Sequence, residues 1–189
     1  MSHASIATTT IGWLNHDAWS EMFVACRRLV CEVLPSPELK QSAKDGGLCQ
    51  LAIVGAHHMM EVALFSLLRQ FVPINDASGK TLTESGFARL HYYEAISHWV
   101  PLVVGSSLPL ISEPFLSTER LRQQRNDTTH KGSALATTAM ARSALASSVL
   151  GTKALFLHFN KPFPYGTFLQ KYPPPDAEYF SRVITPVAI

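Results

Sequence analysis

Charge is scarce in this sequence. Asp, Glu, Lys and Arg make up 16% of its 189 residues, and the formal net charge is only +2. So mild a balance excludes recognition of duplex DNA by bulk electrostatics, and any nucleic-acid contact must come from a local patch. Cysteine is scarce too: Cys26, Cys31 and Cys49 are odd in number and show no zinc-type spacing, which argues against a disulfide framework or a structural metal and for a reducing compartment. The opening "MSHASIATTTIG" lacks a basic region followed by an apolar run, so no secretory signal is expected and a cytoplasmic protein is. Internal repeats and G-x-S-x-G are missing, and strand-type punctuation is sparse. A serine nucleophile mounted on a sheet is therefore not expected.

What the chain does have is apolar residues, 47% of the total, arranged at helical spacing. This length and composition predict one all-α domain that buries its own core. A first helix is expected from a cap at Asp17, with Trp19, Met22, Phe23, Cys26, Val30 and Val33 on one stripe. The second, over 49–72, contains "LAIVGAHHMMEVALFSLLRQF", long enough to span a bilayer. His57, His58, Glu61 and Arg69 would be costly there, so the segment reads as a buried central helix and no membrane partner is expected. A third helix is expected over 83–100, ended by Pro101, with Phe87, Leu90, Tyr93, Ile96 and Val100 on its apolar face. A fourth is expected over 115–130, capped by Ser117 and ended by Gly132, and a fifth over 134–159, capped by Ser133 and rich in alanine. Six of the twelve prolines fall between Pro162 and Pro186 among Phe163, Tyr165, Phe168, Tyr172, Tyr179 and Phe180. The resulting expectation is a flexible N-terminus (1–14), an up-and-down bundle of four to five helices (15–160), and an extended aromatic arm (161–189) that packs on the domain or on a partner subunit.

The fourth helix departs from this apolar texture. "RQQRNDTTHKGS", residues 122–133, gathers Arg122, Arg125, Asn126, Asp127, His130 and Lys131. A guanidinium fork suits phosphate oxygens, and an imidazole exchanges a proton near neutral pH. RNA supplies its own 2′-hydroxyl nucleophile, so metal-free cleavage needs only a proton-handling group and a cation for the crowded phosphate. Arg125 and His130 meet that demand, with Asn126 to hold geometry and Arg120, Arg122 and Lys131 to hold neighbouring phosphates.

Arg125-Asn126-Asp127-Thr128-Thr129-His130 resembles the Arg-x4-His signature of HEPN domains, with a polar residue directly after the arginine. Glu61, set among apolar residues in the second helix, adds to the likeness, which covers roughly residues 15–160. The resemblance implies a small helical bundle and a metal-independent endoribonuclease that leaves a 2′,3′-cyclic phosphate, in a toxin or phage-defence setting. It implies an RNA substrate, no cofactor, and a homodimer in which Arg125, Asn126 and His130 of two chains share one cleft. Glu61 and Asp127 would be supporting residues, and an antitoxin or regulatory protein would be a partner. The arm has no place in that pattern.

Three other accounts of the same residues stand beside it. In a purely structural one, Arg125 pairs with Asp127, Asn126 and Thr129 cap carbonyls, and His130 is a cation at a helix C-terminus. In a second, the protein is a silent HEPN-like scaffold or dimerisation module that binds a protein partner. In the third, His58 with Glu61, or His91 with Glu94 and His98, hold a metal in a helical bundle. Against the third, His57 and His58 also read as hydrogen-bonded histidines on the polar edge of a buried helix, and no metal is expected.

Overall fold

A computed structural model describes residues 18–38, 40, 44–131 and 135–184; the side chains of residues 44, 45, 130 and 131 also fall outside the description. Residues 1–14, Asp17, Gly132 and Ser133, all assigned roles above, lie outside the described residues. The described chain is helical apart from one two-stranded hairpin.

Helix α1 spans residues 18–33, with its last turn, Leu29–Val33, wound as a π turn. Trp19, Phe23, Cys26 and Val30 are buried as the stripe predicts. The wider π turn then shifts the stripe by one residue, so that Leu34, not Val33, completes it. A kinked turn, Lys44–Leu48, with Gly46 outside helical geometry, leads into α2, Cys49–Arg69.

Helix α2 is the axis of the core. Its first half joins one apolar cluster with Val30, Leu34, Leu121 and Ala144, and its second half joins another with Trp19, Phe23, Trp99 and Leu155. With its preceding turn it is long and apolar enough to cross a membrane by length and composition, yet most of it is buried inside the fold.

The segment expected to be one helix over 83–100 is broken. Strands β1 (Ile74–Asn75) and β2 (Thr81–Leu82) pair antiparallel around a turn in which Asp76 accepts from the backbone N–H groups of Ser78 and Lys80. A 3₁₀ turn follows at Glu84–Arg89, then Leu90 and His91 are extended. Helix α3 begins only at Tyr92 and runs through Tyr92–Glu94, a π turn at Ala95–Trp99, and Val100–Val104. Pro101 does not end it. The π turn lies just where a proline ring would crowd the preceding carbonyls, and the helix stops at Gly105, whose φ of 82° suits glycine.

Helix α4 covers Phe115–Lys131 and α5 covers Thr138–His158. Ser117 is not the cap of α4. The Glu113 carboxylate accepts from the Ser117 N–H at 3.2 Å, and Ser117 lies inside the helix. Thr137 caps α5 by accepting from Met140 N–H. At the other end Asn160 is left-handed (φ 53°), which lets Lys161 N–H bond back to Phe156 at 2.9 Å. Helices α2, α4 and α5 pack on one another. Gly151 of α5 permits the closest approach: a Cβ there would meet Thr118 Cγ2 at 2.3 Å and Met60 Sδ at 3.1 Å.

The C-terminal arm lies on the same domain. Tyr165 stacks on Trp19 with ring centroids 4.1 Å apart, and Phe168 meets Phe23 edge-on at 5.6 Å. After the short helix α6 (Gly166–Lys171), Arg27 donates to Pro173 O at 2.9 Å and Arg142 to Asp176 O. Helix α7, Phe180–Val183, packs on α4 and α5 and buries Phe180 completely.

Candidate functional site

Helical spacing alone puts His57, Glu61 and Phe65 one above another on α2, and Arg122, Arg125 and Asn126 on one side of α4. These two faces form the walls of a cleft of about 410 Å³, and the extended break at Leu90–His91 with Tyr92 and Tyr93 forms its third side. The break matters because it displaces the start of α3. Tyr92 turns toward His57, ring centroids 4.9 Å apart, while Tyr93 stays 56% exposed at the rim.

Arg125 and Asn126, the sequence-selected cation and amide, are both partly buried here, and Arg125 Nη1 donates to Asn126 Oδ1 at 3.1 Å. Thr129 donates its hydroxyl to the Arg125 carbonyl at 2.8 Å, a back-bond within the helix. Arg122 lines the same cleft but is already matched: Nε and Nη2 reach Glu119 at 2.8 and 2.6 Å, and this pairing holds its pKa above the ordinary arginine value. Its guanidinium also lies 5.4 Å over the Tyr93 ring. Arg120 is exposed outside the cleft, donating to Gln123. Asp127 is partly buried and does not line it. The side chains of His130 and Lys131 lie outside the described residues.

Glu61 contributes the carboxylate. Burial works to raise its pKa, but the hydrogen bond to His58 at 3.4 Å and the nearby charge of Arg125 outweigh burial and hold it below the usual glutamate value. It is therefore ionised at neutral pH. His57 is 2% exposed, and burial drives its pKa down to about 4 against the pull of Glu61, with Arg125 and Arg122 adding to the decrease. A neutral imidazole whose Nδ1 lies 3.6 Å from Glu61 Oε1 makes neither an ion pair nor a hydrogen bond of ordinary length. Among the described residues neither ring nitrogen of His57 has a hydrogen-bond partner. The expectation of a hydrogen-bonded histidine at position 57 is thus corrected.

His57 and Tyr92 are cleft residues that the sequence reading did not assign to the site. The signal was present as the i, i+4, i+8 alignment of His57, Glu61 and Phe65, whereas Tyr92 depended on where α3 begins. The metal alternative is dispersed. His98 pairs with Asp76 at 3.0 Å, Glu94 with Lys80 and with the Trp99 indole, and His91 lines the cleft. Among the described residues no three His, Cys, Asp or Glu side chains gather as a metal would require.

What the arrangement can do chemically follows from this asymmetry. One end offers a guanidinium and an amide that can hold an anion, and the other offers a carboxylate and apolar walls. Comparison of the chain with protein-family models, curated proteins and solved structures found no match in any of the three.

Proposed function

We propose that the cleft belongs to a metal-independent endoribonuclease of HEPN type, acting on single-stranded or loop RNA. The observation that supports this reading is the convergence of the adjacent Arg125 and Asn126 with Glu61, more than sixty positions earlier in sequence, on one solvent-reachable cleft. Helix α4 continues through position 130, one turn beyond Asn126, so the histidine of the motif belongs to the same element.

In the proposed reaction the 2′-hydroxyl loses its proton and attacks the adjacent phosphorus, and the bond to the 5′-oxygen breaks. That oxygen leaves with a proton, and the products are a 2′,3′-cyclic phosphate and a 5′-hydroxyl. His130 moves a proton at one of these oxygens, Arg125 stabilises the added charge on the phosphorane-like state, and Asn126 holds geometry. Glu61 supports the site by fixing the local charge balance. The reading includes a homodimer, a cytoplasmic setting and control by an antitoxin or regulatory protein.

The test is cleavage of end-labelled RNA in EDTA. Arg125→Ala or His130→Ala should lower cleavage by a factor on the order of 100 or more while the protein stays folded. Equal cleavage by wild type and both variants removes these roles.

A second reading, a silent interaction module, has its own support. A groove of about 750 Å³ on the far side of α1 is lined by Val24, Leu29, Leu51 and Phe168, and Val24 and Leu51 are 47% and 61% exposed. In that case the protein forms its oligomer and cleaves nothing under any metal condition.

A further inference from the structure

The face of α1 turned away from the core carries a pattern that the fold does not use. Glu21, Val24, Ala25 and Arg28 stand at i, i+3, i+4 and i+7, so helical spacing sets them in one stripe, and all four are exposed. They line the groove of about 750 Å³ to which Leu51 of α2 and Phe168 of α6 also contribute. Val24 and Leu51 leave large apolar surface in water there. Charge narrows what can cover it. Arg28 Nε lies 3.5 Å from Glu32, an exposed pair one turn apart, and Glu21 adds a second carboxylate to the stripe. Two carboxylates against one guanidinium disfavour a polyanion, so this face suits neither RNA nor an anionic lipid surface.

We infer that this face docks a second copy of the same chain, α1 against α1 in antiparallel order about a two-fold axis. A two-fold interface must be its own complement: if one residue meets another across it, the second also meets the first. The stripe has that property when turned end for end. The sequence midpoint of Glu21 and Arg28 is also the midpoint of Val24 and Ala25, so the rotation exchanges the members of both pairs. Glu21 then faces Arg28 of the partner subunit, twice over, and Val24 faces the small Ala25 of the partner subunit, which lets the helices approach closely. Parallel pairing would set like charges together. Leu51 and Phe168 widen the apolar contact beyond a single helix. No residue of this face lines the cleft, so the inference holds whether or not the cleft cuts RNA.

Sedimentation velocity of the purified full chain across a concentration series tests this. Wild type should assemble as a dimer, or as a tetramer if α4 also pairs as the ribonuclease reading has it. Glu21→Arg and Arg28→Glu should each halve the mass and raise the dissociation constant on the order of 100-fold, because each turns two attractions into two repulsions. The double variant Glu21→Arg/Arg28→Glu should regain the wild-type mass, since the charges then match again with their signs exchanged. Val24→Arg, which brings two cations together near the axis, should halve the mass too. All four changes are on exposed positions, and circular dichroism checks that each variant is folded. A wild type that sediments as a single chain at every concentration, single reversals that leave the mass unchanged, or a double variant as dissociated as either single overturns the interface.

Discussion

Two faces of α2 bury polar groups in opposite ways. On the face toward α5 every named polar atom is matched. Ser148 donates to Ala56 O at 2.6 Å, Thr152 donates to Ser148 O at 2.8 Å and accepts from Trp19 Nε1 at 3.2 Å, and Ser147 accepts from Phe180 N–H at 2.9 Å. Ser117, close by on α4, accepts from Ser181 N–H, and Ser181 donates its hydroxyl to Glu113. On the face toward α4 the His57 imidazole is as deeply buried and has no hydrogen-bond partner among the described residues. A matched polar seam specifies how helices and arm dock; an unmatched group beside a cleft costs stability.

The sharpest way to break the comparison is at the seam's apolar anchor. Phe180 is fully buried between α4 and α5, and its own N–H is held by Ser147. Phe180→Ala should cost about 3–5 kcal/mol, through the lost transfer energy and the cavity left behind. The measurement is urea denaturation followed by circular dichroism. Under conditions where the variant remains folded, ligand binding in the cleft should match wild type, because Phe180 belongs to a different apolar cluster from the cleft's walls. A loss of stability under about 1 kcal/mol would mean that the arm does not anchor the bundle.

The next effect comes from acid. His57 has a folded pKa of about 4 against 6.5 unfolded, so between those values the unfolded chain binds the extra proton and stability falls as pH falls. The full gap corresponds to about 3 kcal/mol. Glu61, whose pKa is lowered by folding, acts with the same sign, but its contribution is lost only below its unfolded value near 4.5. Denaturation measured from pH 7 to 4.5 should therefore isolate the histidine. His57→Phe should flatten that part of the profile and leave stability at pH 7 equal or higher, since it removes an unmatched buried polar group. An unchanged slope would show that His57 is not buried neutral.

The same chemical operation applied to the seam should have the opposite sign. Thr152→Val keeps the shape but leaves the Trp19 indole N–H without its acceptor, which should cost about 1–3 kcal/mol. Thermal denaturation of the two variants side by side tests the contrast: Thr152→Val lower than wild type, His57→Phe not lower.

Much of this architecture was legible in the sequence, and the reasons differ by element. The stripe of α1 could be read because tertiary packing agrees with its 3.6-residue spacing as far as Val30, where the π turn shifts the register, and α2 could be read as a buried helix because its long apolar run carries groups too costly for a bilayer. Glu61 could be chosen because a carboxylate in an apolar helix is conspicuous, and Arg125 and Asn126 because their helix is polar in an otherwise apolar chain. The 83–104 region could not be read correctly. Its apolar spacing fits one helix, but the hairpin fixed by Asp76 and the extended Leu90–His91 pair interrupt it, and only that interruption brings Tyr92 into the cleft. Likewise Ser117 carries the sequence signature of a cap, yet its hydroxyl serves the arm sixty-four positions away. Contacts of that range leave no local trace.

The comparison also runs inside the cleft, between two arginines one turn apart, and here the expected effect is smallest. Arg122 is neutralised by Glu119 through two short charge-assisted bonds, whereas the hydrogen-bond partner of Arg125 is the neutral Asn126 amide. A cation that meets phosphate releases counterions from a single strand, and the salt dependence of log K changes by about 0.7 per contact. Arg125→Ala should therefore make the slope of log K against log salt shallower by about 0.7. Arg122→Ala should change it by much less, because an arginine held by Glu119 makes no phosphate contact to lose. Fluorescence anisotropy of a labelled single-stranded RNA across a potassium chloride series reads both slopes. Equal changes for the two variants would mean that Arg122 leaves Glu119 to engage RNA, and the division between matched and open groups would then not extend into the cleft.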